Sequence, residues 1–174
     1  CIEAASEEVM LRRTNEGVAR GLPACSLCIV ACRPSTVQRE LHVAARDLAG
    51  VLPLARLSLI KALHSHPLQL GTKEGSATAK GLLRRCVPKA PEQPAARALL
   101  SGKMQACAIL LDAILGGTRD KVVVIGSSLA VLSEVGEYVR AKHGGSSTTC
   151  TLIGTVKKKT RASLIRRFNE SGSA

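Results

Sequence analysis

Lys157, Lys158 and Lys159 stand consecutively, with Thr155 just before them and Arg161, Arg166 and Arg167 just after. Cations at this density suit the phosphate oxygens of a nucleic acid, whose condensed counterions they would release. The other reading is a solvated basic helix with no partner. Leu164, Ile165 and Phe168 give the same predicted helix an apolar stripe, so it should dock on a sheet while its start and outer face carry the charge. Position favours the first reading. The run begins just after a predicted parallel strand, at the carboxyl edge where open α/β sheets bind ligands.

Three other clusters could carry chemistry. Cys25, Cys28 and Cys32 invite a zinc reading, but no second Cys/His pair follows at ligand spacing. Residues three apart on a strand face opposite ways, so buried thiols are the expectation. His64-Ser65-His66-Pro67 stands beside no nucleophile or carboxylate pattern, and reads as a helix C-terminus whose histidines satisfy the last carbonyls. Gly126-Ser127-Ser128 follows a predicted strand and opens a predicted helix, a place where backbone amides can receive phosphate. It lacks the dinucleotide glycine spacing and the Gly-Lys-Ser/Thr ending of a phosphate loop. No Ser-His-Asp arrangement is legible, so no catalytic, cofactor or metal residue is assigned.

The elements that must hold these residues follow from periodicity. A helix is predicted from Glu3 to about Gly21, a strand over Cys25–Arg33 with both faces buried, and helices from Pro34 to near Gly50 and from Pro53 to His64. Residues 71–95 are rich in Gly, Pro, Ala, Lys and Thr and read as an exposed connector. Beyond it helices and strands alternate: Ser101–Leu115, strand Lys121–Ile125, Leu129–Lys142, strand Thr149–Ile153, then Thr160–Asn169. The continuous run Val122-Val123-Val124-Ile125 suits a parallel sheet covered on both faces. The composition narrows the partner. Over 174 residues, 25 Lys plus Arg stand against 13 Asp plus Glu, for a formal charge of +12, which favours a polyanion. One Tyr, one Phe and no Trp argue against stacking on unpaired bases and for contact with the phosphate backbone. Seven cysteines, an odd number on apolar-patterned segments, fit reduced thiols of an intracellular protein. No stretch has the length of a membrane span, and Cys1 followed by an acidic segment is not a secretion leader.

In order along the chain, the short motifs resemble the middle of a Swi/Snf-family DNA translocase, nearest the Rad-fifty-four-like recombination-repair subfamily. Leu11-Arg12-Arg13-Thr14 with Leu22-Pro23 resembles a helix and stop late in the first motor lobe. Cys32-Arg33 with Gln38 and Glu40-Leu41, then Leu57 to Pro67, is similar to the segments that follow. Ser101-Gly102-Lys103-Met104 and Asp120-Lys121-Val122-Val123 resemble the entry to lobe two and its first strand. Gly154-Thr155, the basic run, Arg161-Ala162 and Arg167-Phe168-Asn169 resemble the motif after its second strand. The departures are Thr151 and Ile153, where the family has a basic and an acidic residue, and Gly126 in the turn after the first strand.

The resemblance implies an α/β fold, made of parts of two RecA-like helicase lobes. The C-terminal, helical part of lobe one would occupy 1–70, a flexible linker 71–98, and the βαβα start of a parallel-sheet lobe two 99–174. It implies an internal fragment of an ATP-dependent double-stranded-DNA translocase of homologous-recombination repair or chromatin remodelling, in the nucleus, with a recombinase or nucleosomes as further partners and no membrane. Thr155, Lys157, Lys158, Lys159 and Arg161 would contact DNA phosphates, and Arg12 and Arg13 would position or track the duplex. ATP and Mg would be cofactors of the complete parent. The family's phosphate loop, acidic Mg-binding box and arginine finger do not occur in these residues, so the segment alone should not hydrolyse ATP. The alternative is a non-catalytic basic DNA-binding or interaction module derived from such a motor.

Overall fold

In the computed structural model, which describes residues 25–72, 76–144 and 149–170, the chain divides into two units, Cys1–Ala31 and Cys32–Ala174. The helix predicted for Glu3 to Gly21, with Arg12 and Arg13, lies outside the described residues. In the larger unit, side-chain caps and prolines mark where helices start. Ser35 accepts from the Gln38 amide and opens α1 (Thr36–Arg46), completing a capping box with Gln38. Pro53, preset for a first helical turn, opens α2 (Pro53–Ser65), and a 3-10 turn follows over Pro67–Gly71. Ser76 caps α3 (Ala77–Cys86), Pro94 opens the short α4 (Pro94–Ala98), Ser101 caps α5 (Gly102–Gly117) and Ser128 caps α6 (Leu129–His143). The last helix, α7, spans Lys158–Glu170.

Two apolar clusters hold this unit together. Leu41 and Ala45 of α1, Leu59 and Leu63 of α2, Leu70 of the 3-10 turn, and Ala79 and Leu82 of α3 form the first. Each helix thus contributes residues one turn apart, the amphipathic spacing that buries a single stripe. Ala98 of α4, Met104, Ala108 and Leu111 of α5, and Val135, Tyr138 and Val139 of α6 form the second. Polar contacts reinforce it. Arg97 pairs with Glu134 at 2.7 Å and with Glu137, tying α4 to α6. Asp112 of α5 accepts from Tyr138 at 2.8 Å, from Lys142 and from His143 of α6. Burial pushes the Asp112 carboxyl up, but these hydrogen bonds and the Lys142 charge outweigh it and hold the group at about 2.

The seam between the clusters is polar and centred on Gln38, which is 1% exposed. Its Oε1 accepts from the Ser35 and Gly102 amides, both at 3.0 Å. Its Nε2 donates to the carbonyls of Leu63 at 2.9 Å and His64 at 3.2 Å, the last turn of α2. Ser101, also buried, donates its hydroxyl to the Ser65 carbonyl at 3.0 Å, and the Ser35 hydroxyl donates to the Leu100 carbonyl at 2.6 Å. Two side chains of α1's start and one at the start of α5 thereby satisfy carbonyls that would otherwise be orphaned.

The parallel-sheet lobe is not found: the described residues contain no strand. Of the three segments expected to form strands, Cys25–Arg33, Lys121–Ile125 and Thr149–Ile153, none is in a ladder. A strand is completed only by a neighbour that pairs its amides and carbonyls, so an apolar run records a capacity for burial and not the pairing itself. Val122 packs against the second cluster, while Val123 and Ile125 are exposed, Ile125 to 91%. Ile29, in the smaller unit, is exposed to 92%. The expected burial of the cysteines fails with the strand: Cys25 and Cys28 are exposed and Cys32 is half-buried. The structure also departs from the connector reading of residues 71–95. Ala79 and Leu82, with Leu83 and Cys86 beside them, seat α3 on the first cluster.

Candidate nucleic-acid interface

The basic run is positioned by a turn and a helix. The Val156 amide donates to the Ile153 carbonyl at 3.1 Å, and the Arg161 amide donates to the Lys157 carbonyl at 2.9 Å, so α7 starts directly after Lys157. Thr155, Lys157, Lys158, Lys159 and Arg161 are all exposed. None of them has an ion-pair partner among the described residues. Arg161 reaches back to the Ile153 carbonyl at 3.4 Å. The first turn of α7 carries no acidic residue, the reverse of what the helix dipole favours, so an isolated α7 is destabilised at the end where its cations collect. An anion there is attracted by the lysines, the dipole and the first-turn amides together. Between Glu137 and Glu170 the sequence has no carboxylate, and Glu170 sits 3.9 Å from Arg166 at the other end of the helix.

The structure therefore brings together the five candidates of the C-terminal run, and it does so without the sheet edge that was expected to present them. Lys121 belongs to the same region. Its ammonium donates to the Asn169 carbonyl and lies 5.8 Å from the centre of the Phe168 ring, which ties the segment after α5 to the end of α7. Lys121 stands in the motif Asp120-Lys121-Val122-Val123, but nothing local shows this contact, which spans 48 residues.

The remaining motifs have structural roles. Ser128, of the Gly126-Ser127-Ser128 stretch, caps α6, and its hydroxyl also accepts from the Gln69 carboxamide. No group of acidic, His or Cys side chains among the described residues could hold a metal ion. The His66 amide closes α2, donating to the Ala62 carbonyl at 3.0 Å, but the histidine side chains do not satisfy its last carbonyls as expected, since Gln38 and Ser101 do so. His64 instead meets His42 at 3.0 Å. His66, 1% exposed, joins both clusters: Nε2 donates to the Arg97 carbonyl at 3.2 Å, and Nδ1 accepts from the Leu68 amide at 3.3 Å.

Burial, only partly offset by the Arg97 carbonyl and by Glu134, pushes the His66 imidazole below its ordinary value of 6.5. A second ring proton would also point at the Leu68 N–H. Since the unfolded chain then binds the proton more readily, the stabilisation from neutral His66 is complete above about pH 6.5 and declines as pH falls below it. In urea titrations across pH 8 to about 5, wild type should lose stability that His66→Gln does not. Parallel curves for the two proteins would refute this.

Proteins described as DNA repair and recombination proteins match the chain along nearly its whole length. The chain is 30% identical over 184 residues to the DNA repair and recombination protein RAD54-like of Homo sapiens, an alignment covering 94% of this chain and 23% of that protein. It is 25% identical over 182 residues to the RAD54-like protein of Drosophila erecta, covering 96% and 23%. With the DNA repair and recombination protein RDH54 of Saccharomyces cerevisiae (strain YJM789), identity is 27% over 175 residues, covering 95% and 18%. The chain spans less than a quarter of the length of these curated relatives. No family model matches it, and neither does any solved structure. Among the described residues no helix is long and apolar enough to cross a membrane.

Proposed function

We propose that this chain is part of an ATP-dependent translocase that moves on double-stranded DNA in recombination repair, and that it contributes the phosphate contacts of Thr155, Lys157, Lys158, Lys159 and Arg161. The observation that carries the reading is the likeness, over nearly the whole chain, to proteins described as acting in DNA repair and recombination. The exposed cations at the start of α7, with no carboxylate among them, supply the chemistry. Such contacts hold the backbone and are independent of base sequence. The same reading assigns residues 1–70 to the helical end of a first RecA-like lobe and 99–174 to the start of a second, with strands from the rest of the motor completing the sheet. ATP and Mg then bind elsewhere in the complete motor, which works in the nucleus alongside a recombinase or nucleosomes, and Arg12 and Arg13 position the duplex. A second reading, a non-catalytic basic DNA-binding module, is favoured by the helical body and by Thr151 and Ile153 at positions where the family carries charge.

Binding to a duplex of about 30 base pairs, followed by fluorescence anisotropy from 50 to 200 mM salt, tests the contacts. Replacing Lys157, Lys158 and Lys159 by alanine should weaken binding and make the slope of log K against log salt shallower by about 2.7, or 0.9 for each lost contact. Across that salt range the gap between wild type and variant then narrows about 40-fold. An unchanged affinity and slope would remove α7 from the interface. In the complete motor, Arg161→Ala should lower DNA-stimulated ATP hydrolysis under the translocase reading, whereas a parent with no such hydrolysis favours the binding module.

A further inference from the structure

A second cationic face lies on α3. Ala79, Leu82, Leu83 and Cys86 recur at helical spacing and turn inward to the first apolar cluster. The positions between them that turn outward carry Lys80, Arg84 and Arg85, of which both arginines are exposed and Lys80 is half-exposed. Lys80 and Arg84 are one turn apart, roughly 6 Å along the axis, where like charges repel. None of the three has an ion-pair partner among the described residues, and from Ser76 to Pro91 the sequence contains no Asp or Glu. The helix dipole accounts for a cation in the last turn, which suits Arg84 or Arg85. It does not account for Lys80, in the helix's first half.

We infer that this face of α3 is a second contact for the phosphate backbone of double-stranded DNA. The inference rests on the proposed reading of α7 and extends it to a helix of the first apolar cluster. Charge complementarity identifies the partner. Each strand of a duplex presents a phosphate about every 3.4 Å of axis, so cations roughly 6 Å apart reach phosphates one or two steps apart on one strand. The helix has no aromatic residue with which to hold a base, so the contact is to the backbone. Ser76 at its start and four apolar residues beneath fix the helix, so the three side chains approach DNA from a pre-ordered scaffold.

The test uses the whole chain and the same duplex. Lys80→Gln/Arg84→Gln/Arg85→Gln should weaken binding at low salt and make the salt slope shallower by about 2.7, while Arg84→Lys/Arg85→Lys, which keeps the charge, should bind as wild type does. Unchanged affinity and slope in the triple variant, with the Lys157/Lys158/Lys159 alanine variant still impaired, would overturn the α3 contact and leave the α7 reading intact. Unchanged binding in both variants would sink both. If circular dichroism shows that the triple variant has lost its helices, Lys80→Gln alone decides: a slope shallower by about 0.9 supports the contact, and an unchanged slope refutes it.

Discussion

Gly102→Ala is expected to destabilise the chain by more than about 3 kcal/mol, against the direction in which helix propensity alone would move it. Gly102 opens α5, and a Cβ there would stand 1.8 Å from the Arg33 carbonyl oxygen and 2.9 Å from its carbon, with Pro34 Cα at 3.5 Å. All three neighbours are backbone, so no side chain can swing aside. The start of α5 would have to retreat, breaking the Gly102 amide's bond to Gln38 and pulling at the Ser35 bond to Leu100. Gly81 supplies the control. It lies within α3 with nothing within 4 Å of its would-be Cβ, so Gly81→Ala should stabilise by about 0.5–1 kcal/mol. Urea denaturation of the two variants should therefore give shifts of opposite sign. A Gly102→Ala midpoint equal to or above wild type would show that α5 does not approach Arg33 this closely.

What could be read in advance follows the range of the interaction that creates each feature. Helix starts at Pro53, Ser101 and Ser128 are local signals, because a hydroxyl caps an amide two or three residues away and proline presets its own φ, and those helices stand close to their expected bounds, whereas α1 begins after the Ser35 cap and not at Pro34, and ends at Arg46, short of Gly50. Strands are not local. Val122-Val123-Val124-Ile125 has the composition of a buried strand, but its pairing partner must come from elsewhere in the chain, and no such partner is present among the described residues. α3 was missed because its inward stripe is short and includes an alanine and a cysteine, among Gly and Lys that suggested an open segment. The basic run was legible from charge alone, whereas its presentation was not. A sheet edge was expected, and a turn at Ile153–Val156 leading into α7 takes its place. Gln38 and Ser101–Gly102 stood in recognisable motifs, yet nothing local showed that they meet across 64 residues.

That meeting gives the second large effect: Gln38→Leu should cost about 3–5 kcal/mol although leucine keeps much of the volume and suits the helix. The carboxamide has four partners, and two amide donors on Oε1 with two carbonyls on Nε2 admit only one orientation of the group. Leucine leaves the Ser35 and Gly102 amides and the Leu63 and His64 carbonyls without this partner, each at about 1–3 kcal/mol where water cannot reach. Gln38→Glu separates loss of hydrogen bonding from loss of shape. Its carboxylate could still accept from the two amides, but its other oxygen would face two carbonyl oxygens, so the group is held protonated and its pKa is raised in the folded state. The variant's stability should then be greatest below the ordinary glutamate value of about 4.3 and fall as pH rises through the raised folded value, whereas Gln38→Leu shows no such dependence beyond that of wild type. Should Gln38→Glu instead gain stability relative to Gln38→Leu as pH rises from about 4 to 7, the carboxamide is not facing the end of α2, and α1, α2 and α5 do not converge on this residue.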